Sequence, residues 1–280
     1  MPELPEVETV RRGIAPYLTG RQVTEVELLH PRVNRDQGPQ DLASLLPGHT
    51  IYSVERRGKY LWLELDAEAS RDDGPGRGQD RPVVFIHLGM SGQLRVGDYT
   101  SPHVRLRVRL DDGSTVCFVD QRTFGYWRLA PLSAISHIAL DPFSADFDSA
   151  AVARAIRARK SPVKSVLLNQ EVISGIGNIY ADETLWAARV HPKKRASALR
   201  QRTAVELVSA ARAVLVAALE RGGTSFDALY VNVNGESGRY GQSLAVYGRA
   251  GEPCLRCGTP LEAVTVGGRT TTLCPRCQGY

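Results

Sequence analysis

Four cysteines near the end of the chain carry the most explicit chemistry. Cys254 and Cys257 frame Leu-Arg, Cys274 and Cys277 frame Pro-Arg, and 16 residues separate the two CxxC pairs. Two such knuckles bring four thiolates to one tetrahedral Zn2+, and four thiolates leave no open coordination position, so the ion is structural. A redox CxxC stands alone in a βαβ setting, and a cytosolic protein has little use for two disulfides here. A module this short buries no core of its own, so metal binding supplies most of its folding energy. Between the knuckles, Gly267-Gly268-Arg269 marks a hairpin tip from which Arg269 can reach a phosphate or a base. Taken alone, the finger suits proteins that bind DNA, RNA or protein. The fifth cysteine, Cys117, lies in an apolar alternating segment and reads as a buried strand residue. At the other end, Met1-Pro2-Glu3-Leu4-Pro5-Glu6-Val7-Glu8-Thr9 sets two prolines and three glutamates ahead of a helical pattern. On its own this is a capping arrangement for a helix N-terminus.

The elements that must position these ends follow from periodicity. Val7, Val10, Ile14 and Leu18 recur every three to four residues, which predicts an amphipathic helix over 5–19 that closes near Gly20. Short β-rich segments come next: Val23–Leu29, Thr50–Arg57, Tyr60–Asp66, Val83–Leu88, Val104–Leu110, Thr115–Val119 and Tyr126–Leu129. Asp111-Asp112-Gly113 is a hairpin signal between two of them, and such a series argues for a sandwich or barrel. Ser70–Arg81, rich in Gly, Asp and Arg, reads as a flexible surface insertion. From Ser149 the period turns helical, with helices expected over Ala150–Arg159, Val163–Leu168, Tyr180–Ala188 and Ser197–Arg221.

Charge is divided unevenly. The whole chain carries +5, but residues 1–150 carry −4 and residues 151–280 carry +9. A basic half points to a polyanion, of which nucleic acid is the commonest. The first residues contain no apolar run of signal-peptide length, and no apolar stretch is long enough for a membrane span. The expected location is the cytosol, with no membrane partner.

Together, the two ends resemble formamidopyrimidine-DNA glycosylase, a family of bifunctional enzymes that remove oxidised purines and then cut the strand. The resemblance spans nearly the whole chain, through Pro2–Thr9, Arg57–Lys59–Tyr60, His87–Gly92, Asp120–Gly125, Gly175–Tyr180, Val246–Gly248 and the four-cysteine finger. It implies an α+β fold: an N-terminal β-sandwich with an N-terminal helix over 1–130, and a linker over 131–147. A helical domain with a helix–two-turn–helix would follow over 148–240, then a β-ribbon zinc finger over 241–280. It also implies a monomer that acts on damaged double-stranded DNA with one structural Zn2+.

The nucleophile that the resemblance implies is the amine of Pro2, exposed once Met1 is removed. An α-amino group with a pKa of about 7.7–8.0 is roughly a tenth to a sixth neutral at pH 7, whereas an unperturbed lysine is neutral only to a few parts in about ten thousand. A terminal amine is thus a ready Schiff-base former. Pro2 would attack C1′, expel the damaged base and leave an iminium that promotes β- and then δ-elimination. Glu3 matches the carboxylate that assists ring opening and proton transfer. Lys59 matches a phosphate-pairing lysine, and Arg269 joins these three in the catalytic set. Glu6 matches a second acidic position that supports the site and is grouped with the DNA-facing residues. Chemistry at C1′ needs the nucleotide out of the helix, and the vacancy must be filled. Met90 matches the filler, Arg122 the partner of the orphaned cytosine and Phe124 the wedge. Asn178, within Gly175–Tyr180, matches a phosphate ligand at a helix N-terminus. His87 and His103 match phosphate-lining positions.

The sequence departs from the family pattern at three places. Thr123 stands where members often carry a basic residue, which weakens one backbone contact. Only His103 of Thr100-Ser-Pro-His103 carries over from a His-rich stretch. Gly238-Arg239-Tyr240 lacks the aromatic that members can have after the glycine, which leaves the base contacts of Val231–Tyr240 open. Two rival readings stand beside this one. One is an endonuclease VIII-like glycosylase for oxidised pyrimidines, whose start has Gly where this chain has Leu4. The other is a non-catalytic damaged-DNA-binding protein, which would have no need of the Pro2–Glu3 pair.

Overall fold

A computed structural model describes residues 2–35, 42–66, 81–224 and 238–280. Most of the Ser70–Arg81 insertion and residues 231–237 of the base-contact segment lie outside the described residues. The chain divides into two compact units, Met1–His137 with Gly222–Gly238, and Ile138–Arg221 with Arg239–Tyr280. The boundary falls inside the expected 131–147 linker, and Gly222–Thr224 and Gly238 return to the first unit.

The first unit opens with helix α1 (Leu4–Leu18). Its strands are β1 (Val23–Leu28), β2 (Ile51–Arg57), β3 (Tyr60–Leu65), β4 (Pro82–His87), β5 (Gln93–Val96), β6 (Val104–Leu110), β7 (Thr115–Val119) and β8 (Tyr126–Pro131), with a short helix α2 (Leu42–Leu45) between the first two. They form two antiparallel four-stranded sheets, in the orders β1-β6-β7-β5 and β2-β3-β4-β8. Alternation sets the faces: Leu106, Val108 and Leu110 of β6 join the core while Arg107 and Arg109 between them do not. Both sheets and α1 share one apolar core, built from residues such as Val26, Leu106, Phe118, Val54, Leu63, Ile86 and Trp127. Val7, Val10, Ile14 and Leu18 of α1 are all buried in it. Each such side chain contributes about 1.5–3 kcal/mol by leaving water. This is the β-sandwich with an N-terminal helix. Strand β5 was absent from the sequence reading because it spans only four residues, too few to show a period.

The second unit contains α3 (Ser149–Arg157), α4 (Val163–Leu167), α5 (Asn178–Ala187), α6 (Gln201–Glu220) and a hairpin of β9 (Glu262–Val266) with β10 (Arg269–Leu273). Asp148 caps α3 by accepting from the amides of Ala150 (2.8 Å) and Ala151 (3.0 Å). Helix α6 buries Ala204, Leu207, Val208, Ala211, Leu215 and Ala218, a single stripe at helical spacing. It packs against α3 and α5. The expected helical start at Ser197 is not realised, since Ala196–Ala198 forms a 3-10 turn and Leu199 is extended. Arg157 Nε claims the Leu199 carbonyl (2.8 Å), which holds that stretch out of the helix. Among the described residues, no helix is long and apolar enough to cross a membrane.

One ion cluster ties α1 to the first hairpin. Glu8, nearly buried, accepts from Arg11 Nε and Nη2 (both 2.9 Å), Arg12 Nε (2.7 Å) and Arg56 Nε (3.0 Å). Burial would raise its pKa, but the hydrogen bonds from Arg11, Arg12 and Arg56 outweigh that and hold it at about 2 against an ordinary 4.5. A depressed carboxylate stabilises the fold above its unfolded pKa and loses that stabilisation as pH falls through the folded one. The difference corresponds to about 2–3 kcal/mol. In urea unfolding, the stability of the wild type is expected to drop between pH 5 and pH 2 by about that amount more than that of Glu8→Gln; parallel acid limbs would refute the assignment.

Candidate functional site

The residues singled out by the sequence fall into two groups, one in each unit. In the first unit the chain start is held by the opening of α1. Glu3 is the N-cap, and a capping box closes the turn: the Glu3 side chain accepts from the Glu6 amide, and Glu6 Oε2 accepts from the Glu3 amide at 2.9 Å. The other Glu6 oxygen, Oε1, accepts from the Thr224 amide (2.7 Å) and from Thr224 Oγ1 (2.9 Å). Pro2, Glu3 and Glu6 are all buried. Both Glu6 carboxylate oxygens are thus engaged within the first unit. The capping reading of this segment and its catalytic reading describe the same residues.

Lys59 sits at the tip of the β2–β3 hairpin, whose last pair is Arg57↔Tyr60, and is 8% exposed. Arg56 fixes that tip by donating from Nη1 to the Gly58 carbonyl (3.0 Å) while its Nε holds Glu8. His87, at the end of β4, stacks on Tyr126 (centroids 5.3 Å, planes 13° apart) and tilts against Tyr60. Burial, reinforced by nearby Lys59 and Arg35, pushes its pKa down to about 4, so the ring is neutral at physiological pH. Its Nδ1 accepts from the Gly89 amide (3.1 Å), which assigns the ring proton to Nε2. His87 is thus a neutral donor, not a cation. At His103, Arg105 Nη2, which can only donate, lies 3.4 Å from Nδ1, so that nitrogen is the acceptor.

Two loops carry the three side chains matched to the void-filling role. Met90 and Phe124 are 43% and 47% exposed, so neither is a core residue. Arg122 is exposed as well, and its Nη1 lies 3.9 Å from Met90 Sδ. The loops meet backbone to backbone at Gly89, where a Cβ would stand 2.5 Å from the Gly125 amide nitrogen. Their organiser is Asp120, which is fully buried. Its Oδ1 accepts from Ser91 Oγ (2.5 Å) and the Arg122 amide (3.2 Å), and Oδ2 accepts from the Gly125 amide (2.7 Å). Its own amide donates to the His103 carbonyl (2.9 Å), and its carbonyl accepts from Arg105 Nε (2.7 Å). Arg35 adds a second brace, covering the Tyr126 ring at 5.0 Å and donating to the Phe124 carbonyl (2.9 Å). Thr123 adopts a left-handed φ of 54°, a costly conformation for a β-branched residue, and its hydroxyl donates to the Arg122 carbonyl (2.8 Å). Sequence reasoning passed over Asp120 and Arg35. The one signal for Asp120 was its place at the start of the Asp120–Gly125 loop motif; Arg35 had none.

In the second unit, Asn178 is the first residue of α5, after the Gly177 N-cap, and its Nδ2 donates to the Thr270 carbonyl (3.1 Å). That carbonyl adjoins Arg269, which is exposed beside the Gly267–Gly268 turn. Both glycines have positive φ (56° and 74°), the pair of left-handed residues that a type I′ hairpin needs. The structure therefore brings Asn178 and Arg269 together at one helix N-terminus. Lys164 of α4 is fully buried. It lies 2.6 Å from Asp182 Oδ1 and donates to Thr271 Oγ1 (2.8 Å) and the Thr270 carbonyl (3.2 Å). Burial raises Asp182 to about 6 against the pull of Lys164. Glu183, next along α5, accepts from the amides of Ala245, Val246 and Tyr247, all at 2.9 Å.

The sulfur atoms of Cys254, Cys257, Cys274 and Cys277 lie within 4.8 Å of one another, and all four cysteines are free thiols. Four sulfurs at about 2.3 Å from one ion need that spacing. Trp186 Nε1 points at Cys254 Sγ (3.4 Å) and the Cys277 amide at Cys274 Sγ (3.3 Å), donors that suit thiolates. These residues fit one structural Zn2+.

The fold and the two groups of residues define a DNA glycosylase that also cleaves abasic strands. Residues 1–127 match the formamidopyrimidine-DNA glycosylase N-terminal domain, 138–229 its H2TH domain and 251–279 the zinc finger found in FPG and IleRS. A formamidopyrimidine-DNA glycosylase of Corynebacterium aurimucosum is 57% identical over 99% of this chain and 96% of its own. A mutant Lactococcus lactis Fpg in complex with a Fapy-dG containing DNA superposes with a TM-score of 0.86 at 33% identity, covering 100% of both chains. The wild-type Lactococcus lactis Fpg with an oxidized pyrimidine containing DNA gives 0.84 at 33% identity, again over 100% of both. The chain belongs to the formamidopyrimidine-DNA glycosylase family.

Asp120→Asn places an NH2 group where one carboxylate oxygen accepted from a backbone amide. It is expected to lower unfolding free energy by about 1–3 kcal/mol and to speed hydrogen exchange at the amides of Arg122 and Gly125. Unchanged exchange at both would show that Asp120 does not hold the loop.

Proposed function

We propose that this chain excises oxidised purines, 8-oxoguanine and formamidopyrimidines, from duplex DNA through a Schiff base on the Pro2 amine, and then cuts the abasic strand by β,δ-elimination. The observation that carries this reading is the capping box, which holds Pro2 and Glu3 in a buried, fixed start to α1. With Met1 removed, the Pro2 nitrogen attacks C1′ as the glycosidic bond breaks, and the base leaves with a proton. Glu3 handles the proton transfers of ring opening. The iminium at C1′ then accepts the electron pair released when a 2′ proton is lost, which expels the 3′ phosphate; δ-elimination expels the 5′ phosphate.

Lys59, Asn178 and Arg269 bind backbone phosphate, and His87 and His103 donate from Nε2. Met90, Arg122 and Phe124 occupy the space of the extruded nucleotide, with Arg122 pairing to the orphaned cytosine. Zn2+ on Cys254, Cys257, Cys274 and Cys277 holds the hairpin that presents Arg269. The enzyme works as a monomer in the bacterial cytoplasm, with DNA as its partner. A second reading, excision of oxidised pyrimidines, is favoured by one finding: a family member is known in complex with an oxidized pyrimidine containing DNA. Comparing excision rates for 8-oxoguanine and thymine glycol separates the two.

Purified chain that starts at Pro2, incubated with an 8-oxoguanine duplex and borohydride, is expected to form a covalent adduct that peptide mapping places on Pro2. Turnover without any adduct, or an adduct on a lysine, would end the assignment of the nucleophile.

Met90→Ala and Arg122→Ala are each expected to slow base removal from duplex by about 10-fold or more, a loss of at least about 1.4 kcal/mol, with little change in cleavage at a preformed abasic site. Equal losses in the two assays would rule out the void-filling role.

A further inference from the structure

A second concentration of positive charge lies in the second unit, outside the residues given roles above. Arg159 and Lys160 follow α3, while Lys193, Lys194, Arg195 and Arg200 lie between α5 and α6. The backbone sews these two stretches together. Val163 donates to the Lys194 carbonyl (2.8 Å), Ala196 to the Ser161 carbonyl (3.0 Å), and Pro162 bridges Arg195. Five of the six cations are exposed and Lys194 is half-buried.

Among the described residues, none of the six has an acidic partner within ion-pair distance. In the same unit, Glu206 pairs with Arg202 (2.9 Å) and Asp148 loosely with Arg154 (4.0 Å). The local field registers on His191, whose pKa is lowered by burial and then by Lys193 and Lys194. Six neighbouring cations with no internal counter-charge repel one another, and a polyanion relieves that repulsion.

Their position relative to the phosphate-binding group is set by Lys164. Its amide donates to the Pro192 carbonyl (3.3 Å), while its Nζ reaches the Thr270 carbonyl that Asn178 also holds. The basic stretch thus begins one lysine side chain away from Asn178 and Thr270. That placement selects a continuous polyanion running past the helix N-terminus over a small isolated anion.

We propose that Arg159, Lys160, Lys193, Lys194, Arg195 and Arg200 form a tracking surface for the phosphate backbone of duplex DNA flanking the lesion. The proposal rests on the reading of the chain as a DNA enzyme and adds to it a sequence-independent contact. Such contacts release counterions and let a protein stay on undamaged duplex while it slides or hops.

The test is the zinc-loaded, full-length quadruple variant Arg159→Gln, Lys160→Gln, Lys193→Gln, Arg195→Gln, compared with wild type. Binding to an undamaged duplex of about 30 base pairs is measured from about 50 to 200 mM salt, with each lost phosphate contact expected to lower the slope of log K against log salt by about 0.9. A slope smaller by about 2–3, with affinity roughly 10- to 100-fold weaker near 0.1 M salt, supports the tracking surface, provided the thermal transition is unchanged. Single-turnover excision of 8-oxoguanine at saturating protein is expected to stay within about twofold, as chemistry at the lesion is untouched. Unchanged slope and affinity would overturn the proposal, and so would a parallel collapse of saturating excision, which would place these cations in the lesion site itself. Should wild type fail to excise any lesion, the proposed function falls while the salt comparison still reports on the surface.

Discussion

A helix leaves its first amide hydrogens without partners, and a chain end leaves its residues without neighbours to hold them. Helix α1 meets both constraints at the same place. Glu3 and Glu6 satisfy each other's backbone, and the spare oxygen of Glu6 is spent on Thr224, far away in sequence. Removing either bond would free the segment on which Pro2 and Glu3 depend. Further along α1, Glu8 holds Arg56, and Arg56 holds the carbonyl beside Lys59. A single helix therefore fixes the Pro2–Glu3 segment at its start and the hairpin of Lys59 along its side.

A common electrostatic plan runs through both units. Asp120, Asp182 and Glu183 are buried, and each spends its oxygens on backbone amides, with a serine hydroxyl as further partner for Asp120 and a buried lysine for Asp182. Buried carboxylates are tolerable only when paired in this way. Acid is thereby consumed inside, in shaping loops, while Arg122, Arg269 and the basic stretch of the second unit remain outside. The excess of positive charge in residues 151–280 is more fully expressed at the surface than the sequence count indicates, because two of its acids are internal.

Much of this could be read from the chain alone, and the reasons differ by residue. The zinc site was legible because its constraint is local spacing, and the Gly267–Gly268 turn because only glycine adopts that pair of conformations easily. The sandwich strands showed through alternation, as in β6. What escaped was whatever depends on a distant partner. The burial of Lys164 depends on Asp182 and the Thr270 carbonyl, which only the fold brings to it. The bonds from Thr224 to Glu6 escaped because nothing in the neighbourhood of Glu6 announces that residue. Asp120 was visible only as part of a loop motif, and Arg35 has no local signal at all. The start of α6 shifted because Arg157, from another helix, competes for its backbone.

The close meeting of the Leu88–Gly92 and Asp120–Gly125 segments bears on how such an enzyme can diversify. Gly92 and Gly125 are hemmed in as tightly as Gly89, with a Cβ at Gly92 falling 2.4 Å from the Leu88 carbonyl oxygen and one at Gly125 falling 2.5 Å from Phe118. Neither segment can grow, shrink or shift register without prising the other loose. Evolution is left with the side chains that project from a frozen scaffold, Met90, Arg122, Thr123 and Phe124. New lesion preferences in this lineage should accordingly arise by exchange of individual residues at these tips, and not by insertion or deletion.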